Sequence, residues 1–482
     1  MSRLGNFRRT LLFILPALTL VLGIGLAEFS AAQDRAIRGN EVGALAAAVV
    51  APLTAMLVLL AVNSSVDWIL VSTAGMLTAI GTATLFSLSL TERTDGGFYQ
   101  SIVTRHSLFV GAGFVALLLG VVLARHLDHI RKIPFTLLVI ALVFIAATIA
   151  FGETINGARL WLQIGPVQFQ PSELARLLLA GFIAIYLYDR RYLVVAPWRL
   201  GWIDLPPAPY LLPLVGAVLA AVAVLIFQND LGMAALVVLG AYASVASVII
   251  TKSSLGSAGV ILVVGAVASF AASARVRERV GAWLEPWFDP AGRGFQFVQA
   301  EFALAAGGMF GKGSTAPAAR VPEVHTDFIL VALATQWGWL GAVATLALAG
   351  IIVCRCVAAA LRAGDGFGSL LALGIAALVG IQVLLICGGT LRILPLTGLT
   401  FPLVSSGGTS MVATLFALGV VSGIGAEGVG RSAKAFGPVA SRGASRISPA
   451  TADHCELLPA VPENTYTDVD RQRESGNFRA DA

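Results

Sequence analysis

Long, nearly charge-free apolar runs separated by short polar segments dominate this chain. They lack the alternation of a half-buried strand and the one-sided stripe of a helix on a soluble domain. A helix needs ~20 apolar residues to cross a bilayer. Twelve stretches approach or exceed that length: residues 10–27, 42–65, 68–90, 107–124, 133–151, 172–188, 209–227, 231–251, 255–274, 328–354, 366–389 and 408–426. The pattern predicts an all-α, polytopic helical membrane protein with about twelve transmembrane helices. An outer-membrane barrel would alternate apolar and polar residues instead. Residues 427–482 are polar, with no apolar period, and read as a disordered tail.

Composition narrows the class. Only 12% of the 482 residues are charged, 57% are apolar, and the mean hydropathy is +0.85. A soluble domain carries roughly 25% charged residues, so a cytosolic globular enzyme is excluded. The net charge of +5 is too small to argue for a nucleic-acid partner. Cys354, Cys356, Cys387 and Cys455 show neither disulfide nor metal spacing. Arg3, Arg8 and Arg9 precede the first run. That run reads as a transmembrane helix, because it is long and no clear small-residue cleavage site follows it.

Basic residues in short loops set the orientation. With the N-terminus inside, inner loops carry Arg125, Arg131 and Lys132, then Arg190, Arg191 and Arg199, then Lys252, then Arg355 and Arg362. Twelve spans return the C-terminus to the cytoplasm. The longest loop, residues 275–326, then falls outside. Within it Trp283 and Trp287 read as interface anchors. Residues 295–310 (FQFVQAEFALAAGGMF) read as an interfacial or re-entrant helix, or as a plain lid.

A charge at membrane depth costs ~2.5–3.5 kcal/mol, so each one needs a reason. Glu173 and Arg176, at i and i+3, can pair on one helical face. That pair is either structural or part of a site. Asp230 and Asp327 open predicted helices and serve as N-caps or as functional carboxylates. His325 alone is a weak ligand candidate. Ser405-Ser406-Gly407-Gly408 forms a tight turn into the last span or part of a site. Arg159, Glu173, Asp230, Lys312, Asp327, Arg392 and Ser405 all fall at outer ends of spans or in outer loops. Carboxylates and cations gathered on one face suit an anionic, membrane-borne ligand: cations for phosphate, a carboxylate as base.

Five segments, in order, resemble the SEDS family (shape, elongation, division and sporulation), the RodA/FtsW-type peptidoglycan glycosyltransferases. They are NGARLWLQIGPVQFQPSELARL (156–177), QNDLG (228–232), GGMFGKG (307–313), VPEVHTDFI (321–329) and LPLTGLTFPLVSSGGTS (394–410). The resemblance covers roughly residues 68–426. It departs from the family at Asn229 (usually proline), Arg176 (usually lysine), Ser406 (usually tyrosine) and Gln336-Trp337 (usually two glutamates). The family core has ten helices. The domain reading is therefore two additional N-terminal helices (1–66), a ten-helix core (67–426) and a cytoplasmic tail (427–482).

The resemblance implies polymerisation of lipid II into glycan strands on the outer face of the cytoplasmic membrane. The donor is an undecaprenyl-pyrophosphate disaccharide-pentapeptide and the acceptor is the 4-hydroxyl of a GlcNAc. Pyrophosphate already leaves well, so the chemistry needs a base and positive charge. By motif Asp327 is the catalytic base. Arg159, Glu173, Arg176, Asp230, Lys312, His325, Thr326, Ser405 and Ser406 are the substrate-binding candidates. Arg159, Arg176 and Lys312 serve for pyrophosphate or for structural pairing. A divalent cation, Mg or Mn, is a candidate aid, with Asp230 to help hold it. The implied partners are lipid II, membrane lipids and a class B penicillin-binding protein transpeptidase. Two alternatives stay open. A lipid II flippase would place charges through the membrane depth, and a non-catalytic scaffold would not depend on Asp327.

Overall fold

The computed structural model describes residues 39–61, 66–91, 98–155, 158–165, 167–190, 198–200, 203–205, 208–248, 271, 274–313, 315 and 317–435. The expected span at 10–27, nearly all of that at 255–274, Cys455 and most of the polar tail lie outside them. Of two units, Met1–Ser432 and Ala433–Ala482, the first holds everything described below except the last three residues of the final helix.

Ten helices match ten of the expected spans: α1 (Gly39–Ala61), α2 (Trp68–Leu90), α3 (Phe98–Ala124), α4 (Pro134–Phe151), α5 (Pro171–Asp189), α6 (Ala208–Phe227), α7 (Leu231–Ala246), then, after α8 (Ala274–Leu284) and α9 (Phe295–Gly307), α10 (Ile329–Arg362), α11 (Gly366–Thr390) and α12 (Gly408–Ala435). Among the described residues, seven of these are long and apolar enough to cross a membrane; α1, α6 and α7 contain shorter apolar helices. The chain is a multi-pass helical membrane protein. Two boundaries differ from the apolar pattern. α3 begins at Phe98 rather than 107, and α10 runs to Arg362 rather than 354. Arg355 does not end α10, because Asp67, four-percent exposed, pairs with both Arg355 and Arg362. A partnered charge removes the reason to stop a helix.

The interhelical segments are not wholly irregular. β1 (Glu153–Ile155), β2 (Ala158–Ile164) and β3 (Val167–Phe169) form an antiparallel sheet between α4 and α5. β4 (Trp198–Leu200) and β5 (Ile203–Leu205) form a hairpin before α6. The all-α reading is amended to that extent.

Where apolar solvent surrounds the bundle, helices attract one another through close packing at small residues. α3 and α12 run parallel and touch backbone to backbone. A Cβ on Gly120 would overlap the Phe416 carbonyl, and one on Gly419 the Leu117 carbonyl. Asp67 caps α2 by accepting from Leu70 N–H (3.2 Å), and its own N–H donates to Ser422 Oγ (3.1 Å). The start of α2 thus meets the ends of α10 and α12. At the same end Arg131 pairs with Asp189 at the close of α5 (3.0 Å). The starts of α5, α7, α10 and α12 lie at the opposite end.

α10 is broken at Gly338 (φ 73°, ψ −177°). The turn after α9 enters the break. Trp339 N–H donates to Gly308 O (3.0 Å) and Leu340 N–H to Met309 O (3.2 Å); Lys312 N–H donates to Thr335 O (2.9 Å) and Gly313 N–H to Gln336 O (3.1 Å). Irregular backbone within a membrane persists only where its polar groups find partners like these. Gly338 lies nine residues, ~14 Å of helix, below Ile329. α9 and its turn are therefore re-entrant alongside α10, with Phe310 81% exposed at the tip. Gly338→Ala puts a side chain at positive φ and drives its Cβ into the Met309 carbonyl. We expect a loss of at least ~1–3 kcal/mol, seen as a lower thermal midpoint in detergent; an unchanged midpoint would contradict this packing.

Candidate active site

The segment between α11 and α12 makes few regular hydrogen bonds of its own and is held by its neighbours. Ser405 Oγ donates to Thr326 O (2.6 Å) and accepts from Phe401 N–H (2.9 Å). Ser406 N–H donates to His325 O (2.9 Å), and Thr390 Oγ1 to Asp327 O (3.4 Å). Gly398 (φ 71°) faces the Asp327 carboxylate: a Cβ there would stand 3.9 Å from Oδ2. One residue earlier, the Thr397 carbonyl packs against Gly232 in the first turn of α7. Gln170 ties in the remaining starts, donating its N–H to Thr409 Oγ1 (3.0 Å) and its amide to Asp230 Oδ2 (3.4 Å). His325, Thr326, Asp327, Ser405, Ser406 and Asp230 are thus gathered around one loop at one end of the bundle.

Asp327 is half-buried and stands two residues before α10, but it does not cap it. The N-cap position is Phe328, which makes no side-chain cap bond. The N-cap reading of Asp327 is therefore corrected, and its carboxyl is left for other work. Burial, and then the nearby Glu323 carboxylate, push its pKa up to about 7; the Thr326 hydroxyl and the Arg279 charge pull the other way. A carboxyl that exchanges its proton near neutral pH suits a general base. Asp230 is the converse: its Oδ1 accepts from Met233 N–H (3.0 Å) and caps α7.

Glu173 and Arg176 pair at 2.7 Å, both buried. Arg176 also donates to Gln382 Oε1 (2.6 Å) and Thr414 Oγ1 (3.4 Å), and Gln382 donates to Thr400 O (2.7 Å). The pair links α5, α11 and α12 beneath the site loop. Arg159 lies on β2 and donates to Thr154 Oγ1 (3.0 Å). Among the described residues no hydrogen bond or ion pair joins it to the other candidates. Lys312 is exposed at the re-entrant turn.

Two further residues build the site beyond those the sequence marks. Glu323 carries φ 53°, and its carbonyl accepts from Thr326, Asp327 and Phe328 N–H (3.2, 3.0 and 3.4 Å), so it shapes the turn that presents Asp327. Gln170 is the other. Both stand inside the motif segments. At the opposite end of the bundle Asp67, which ties α2 to α10, sits one residue before an apolar run, the position of an N-cap.

Among the described residues no three His, Cys, Asp or Glu groups converge to hold a metal ion, and both Asp230 oxygens are engaged. Those residues thus offer no preformed cage of three such ligands.

The profile of the cell cycle protein family of FtsW, RodA and SpoVE matches residues 67–428. Peptidoglycan glycosyltransferase RodA of Mycobacterium tuberculosis is 30% identical over 401 residues, 82% of this chain and 84% of its own. A probable peptidoglycan glycosyltransferase FtsW of a Geobacter species is 32% identical over 371 residues, 74% of this chain and 95% of its own. A solved chain from a peptidoglycan synthase complex that coordinates polymerization and crosslinking superposes with a TM-score of 0.61 at 31% identity, covering 75% of this chain and 98% of that one. The sequence motifs, the helical bundle and these likenesses agree: this chain belongs to the FtsW, RodA and SpoVE family of cell cycle proteins.

Proposed function

We propose that this protein is a peptidoglycan glycosyltransferase that polymerises lipid II in cell-wall synthesis. The observation that carries the reading is Asp327, a carboxyl poised near neutral pH and released from any capping duty, at the end of the bundle where the motif segments meet. Its relatives' activity gives that carboxylate a reaction: it takes the proton of the acceptor 4-hydroxyl as that oxygen attacks the sugar carbon bearing pyrophosphate. Positive charge favours the departing pyrophosphate. Lys312, exposed on the re-entrant turn, is the cation we assign to it, with Arg159 on β2 of the three-stranded sheet as a second. Glu173–Arg176 serves as structural support. Any Mg²⁺ or Mn²⁺ arrives on the pyrophosphate rather than in a preformed protein cage.

Positive-inside charge supports the orientation. On this reading Arg131, Arg190, Arg355 and Arg362 lie at the cytoplasmic end and Asp327, Ser405 and Lys312 on the outer side. The segment before residue 67, which includes α1, is an addition to the family core, and the tail is dispensable for chemistry. The structural neighbour from a synthase complex supports a transpeptidase partner, which we assign to the class B penicillin-binding proteins. Co-purification should recover such a protein; a chain that polymerises at full rate and binds none would contradict that assignment.

The functional reading is tested in vesicles carrying lipid II, by following undecaprenyl-pyrophosphate release. Lys312→Ala should raise the KM for lipid II more than it lowers kcat. Lipid II that crosses the bilayer without any pyrophosphate release would identify a flippase instead.

A further inference from the structure

A base in a half-buried site must shed the proton it has taken before it can act again. Around Asp327 a path for that proton is laid out. The Thr326 hydroxyl, next along the chain from Asp327, lowers the pKa of its carboxyl; it donates to Glu323 O (3.2 Å) and lies 3.4 Å from Glu323 Oε2. A hydroxyl both donates and accepts, so it can bridge two carboxyl groups. The Glu323 side chain is 47% exposed, whereas Asp327 is half-buried. His325 Nε2 stands 3.8 Å from the same Glu323 oxygen, its ring edge-on to Phe98 and Tyr99 (5.6 and 6.2 Å). These rings wall one side of the path. Glu323 is held in a left-handed conformation, uncommon for a residue with a side chain. That conformation directs its carbonyl at three successive amides and keeps its carboxylate beside Thr326. Backbone strain of this kind persists where the surroundings enforce it.

We propose that Thr326 and Glu323 form a proton relay from Asp327 to the aqueous face, with Glu323 as the exit group. The inference rests on the glycosyl-transfer reading above. In the reaction, the acceptor O–H bond breaks and its oxygen lone pair forms the new bond to the donor sugar carbon. The carbon–oxygen bond to pyrophosphate breaks with its electron pair leaving on the pyrophosphate. The proton goes to the Asp327 carboxylate. Asp327 then donates to the Thr326 oxygen, Thr326 passes its own hydrogen to Glu323 Oε2, and Glu323 releases a proton to water. Glu323 and Thr326 are positioning and relay residues; neither needs to touch the sugar.

Other charged groups bear on Asp327. His325 shares its segment, Arg279 reaches it from α8, and the cation of the site loop, Arg392, is engaged by Glu301 (2.5 Å). Burial holds His325 below its ordinary value, so it is neutral at the working pH. Removing the Glu323 charge leaves burial as the one influence that raises the Asp327 value, with Thr326 and Arg279 pulling against it, and the value falls.

The test uses the purified full-length chain polymerising lipid II across a pH series. Glu323→Gln and Thr326→Val should each lower kcat roughly tenfold, less than the 10²–10⁴-fold a direct base supplies, with the lipid II KM unchanged. Thr326→Ser should keep most of the rate. In Glu323→Gln the acid limb of kcat should move to lower pH, and added formate or imidazole should restore part of the lost turnover. The relay is overturned if the loss appears in KM, if Thr326→Ser is as poor as Thr326→Val, or if the acid limb stays in place and small buffers rescue nothing. Thermal midpoints of all variants separate these outcomes from misfolding. A wild-type chain that makes no strands overturns the glycosyl-transfer reading and the relay together.

Discussion

Asp327→Asn should abolish most turnover and leave the protein more stable, not less. The acceptor hydroxyl needs a base, and an amide has no basic lone pair to offer, so a loss on the order of 10²–10⁴-fold follows. Asp327→Glu should recover little, because one methylene moves the oxygen by about an ångström, which costs on the order of 10²-fold. Stability moves the other way. In the fold the carboxyl titrates at about 7, above the ordinary 3.8. A raised value means that the protonated form is favoured by folding. That stability is complete below the ordinary value and is lost as pH rises through about 7. The amide mimics the protonated form at every pH and forfeits no cap, since Phe328 holds that position. At pH 8 the variant should therefore unfold at a higher temperature than the wild type, and near pH 3 the two should coincide. A lower midpoint at pH 8 would contradict the burial of an uncompensated charge at this position.

Glu173→Ala is the second large effect, and it is structural. The substitution leaves the Arg176 guanidinium buried without its 2.7 Å partner. Removing one member of a buried pair costs about 3–5 kcal/mol, far more than the net worth of the pair, because the remaining charge stays desolvated. The consequence reaches the active loop, since Arg176 holds Gln382 and Gln382 holds the Thr400 carbonyl. Activity and thermal midpoint should fall together. The double variant Glu173→Leu, Arg176→Met removes both charges and should regain much of the midpoint. If Glu173→Ala unfolds like the wild type, the pair is not a buried support. By contrast Arg159→Ala, at an exposed position on β2, should shift stability by no more than ~0.5 kcal/mol.

The spans were legible because a bilayer demands long apolar runs and the chain supplies them. Their ends were less so. Arg355 looks like a stop signal until Asp67, 288 residues away in sequence, is placed beside it. Local pattern holds no record of such a partner. Strands of three residues, such as β1 and β3, are too short for a two-residue period to show. The break in α10 depends on the conformation of Gly338, one glycine among several in its helix. Around the site, the motif segments marked Asp327, His325 and Ser405, and the structure brings them together through backbone bonds. Whether Asp327 was cap or base turned on a one-residue shift of the helix start. The part played by Glu323 turned on a positive φ. Side-chain identity determines neither.

The most direct measurement is a gel of products from the purified chain alone, given lipid II in the presence of penicillin. Penicillin silences transpeptidases and any strand lengthening they stabilise, so only glycosyl transfer remains visible. The wild type should yield a ladder of glycan strands and Asp327→Asn at most a trace. Strands from Asp327→Asn at the wild-type rate, or none from a folded wild type, would contradict the assignment.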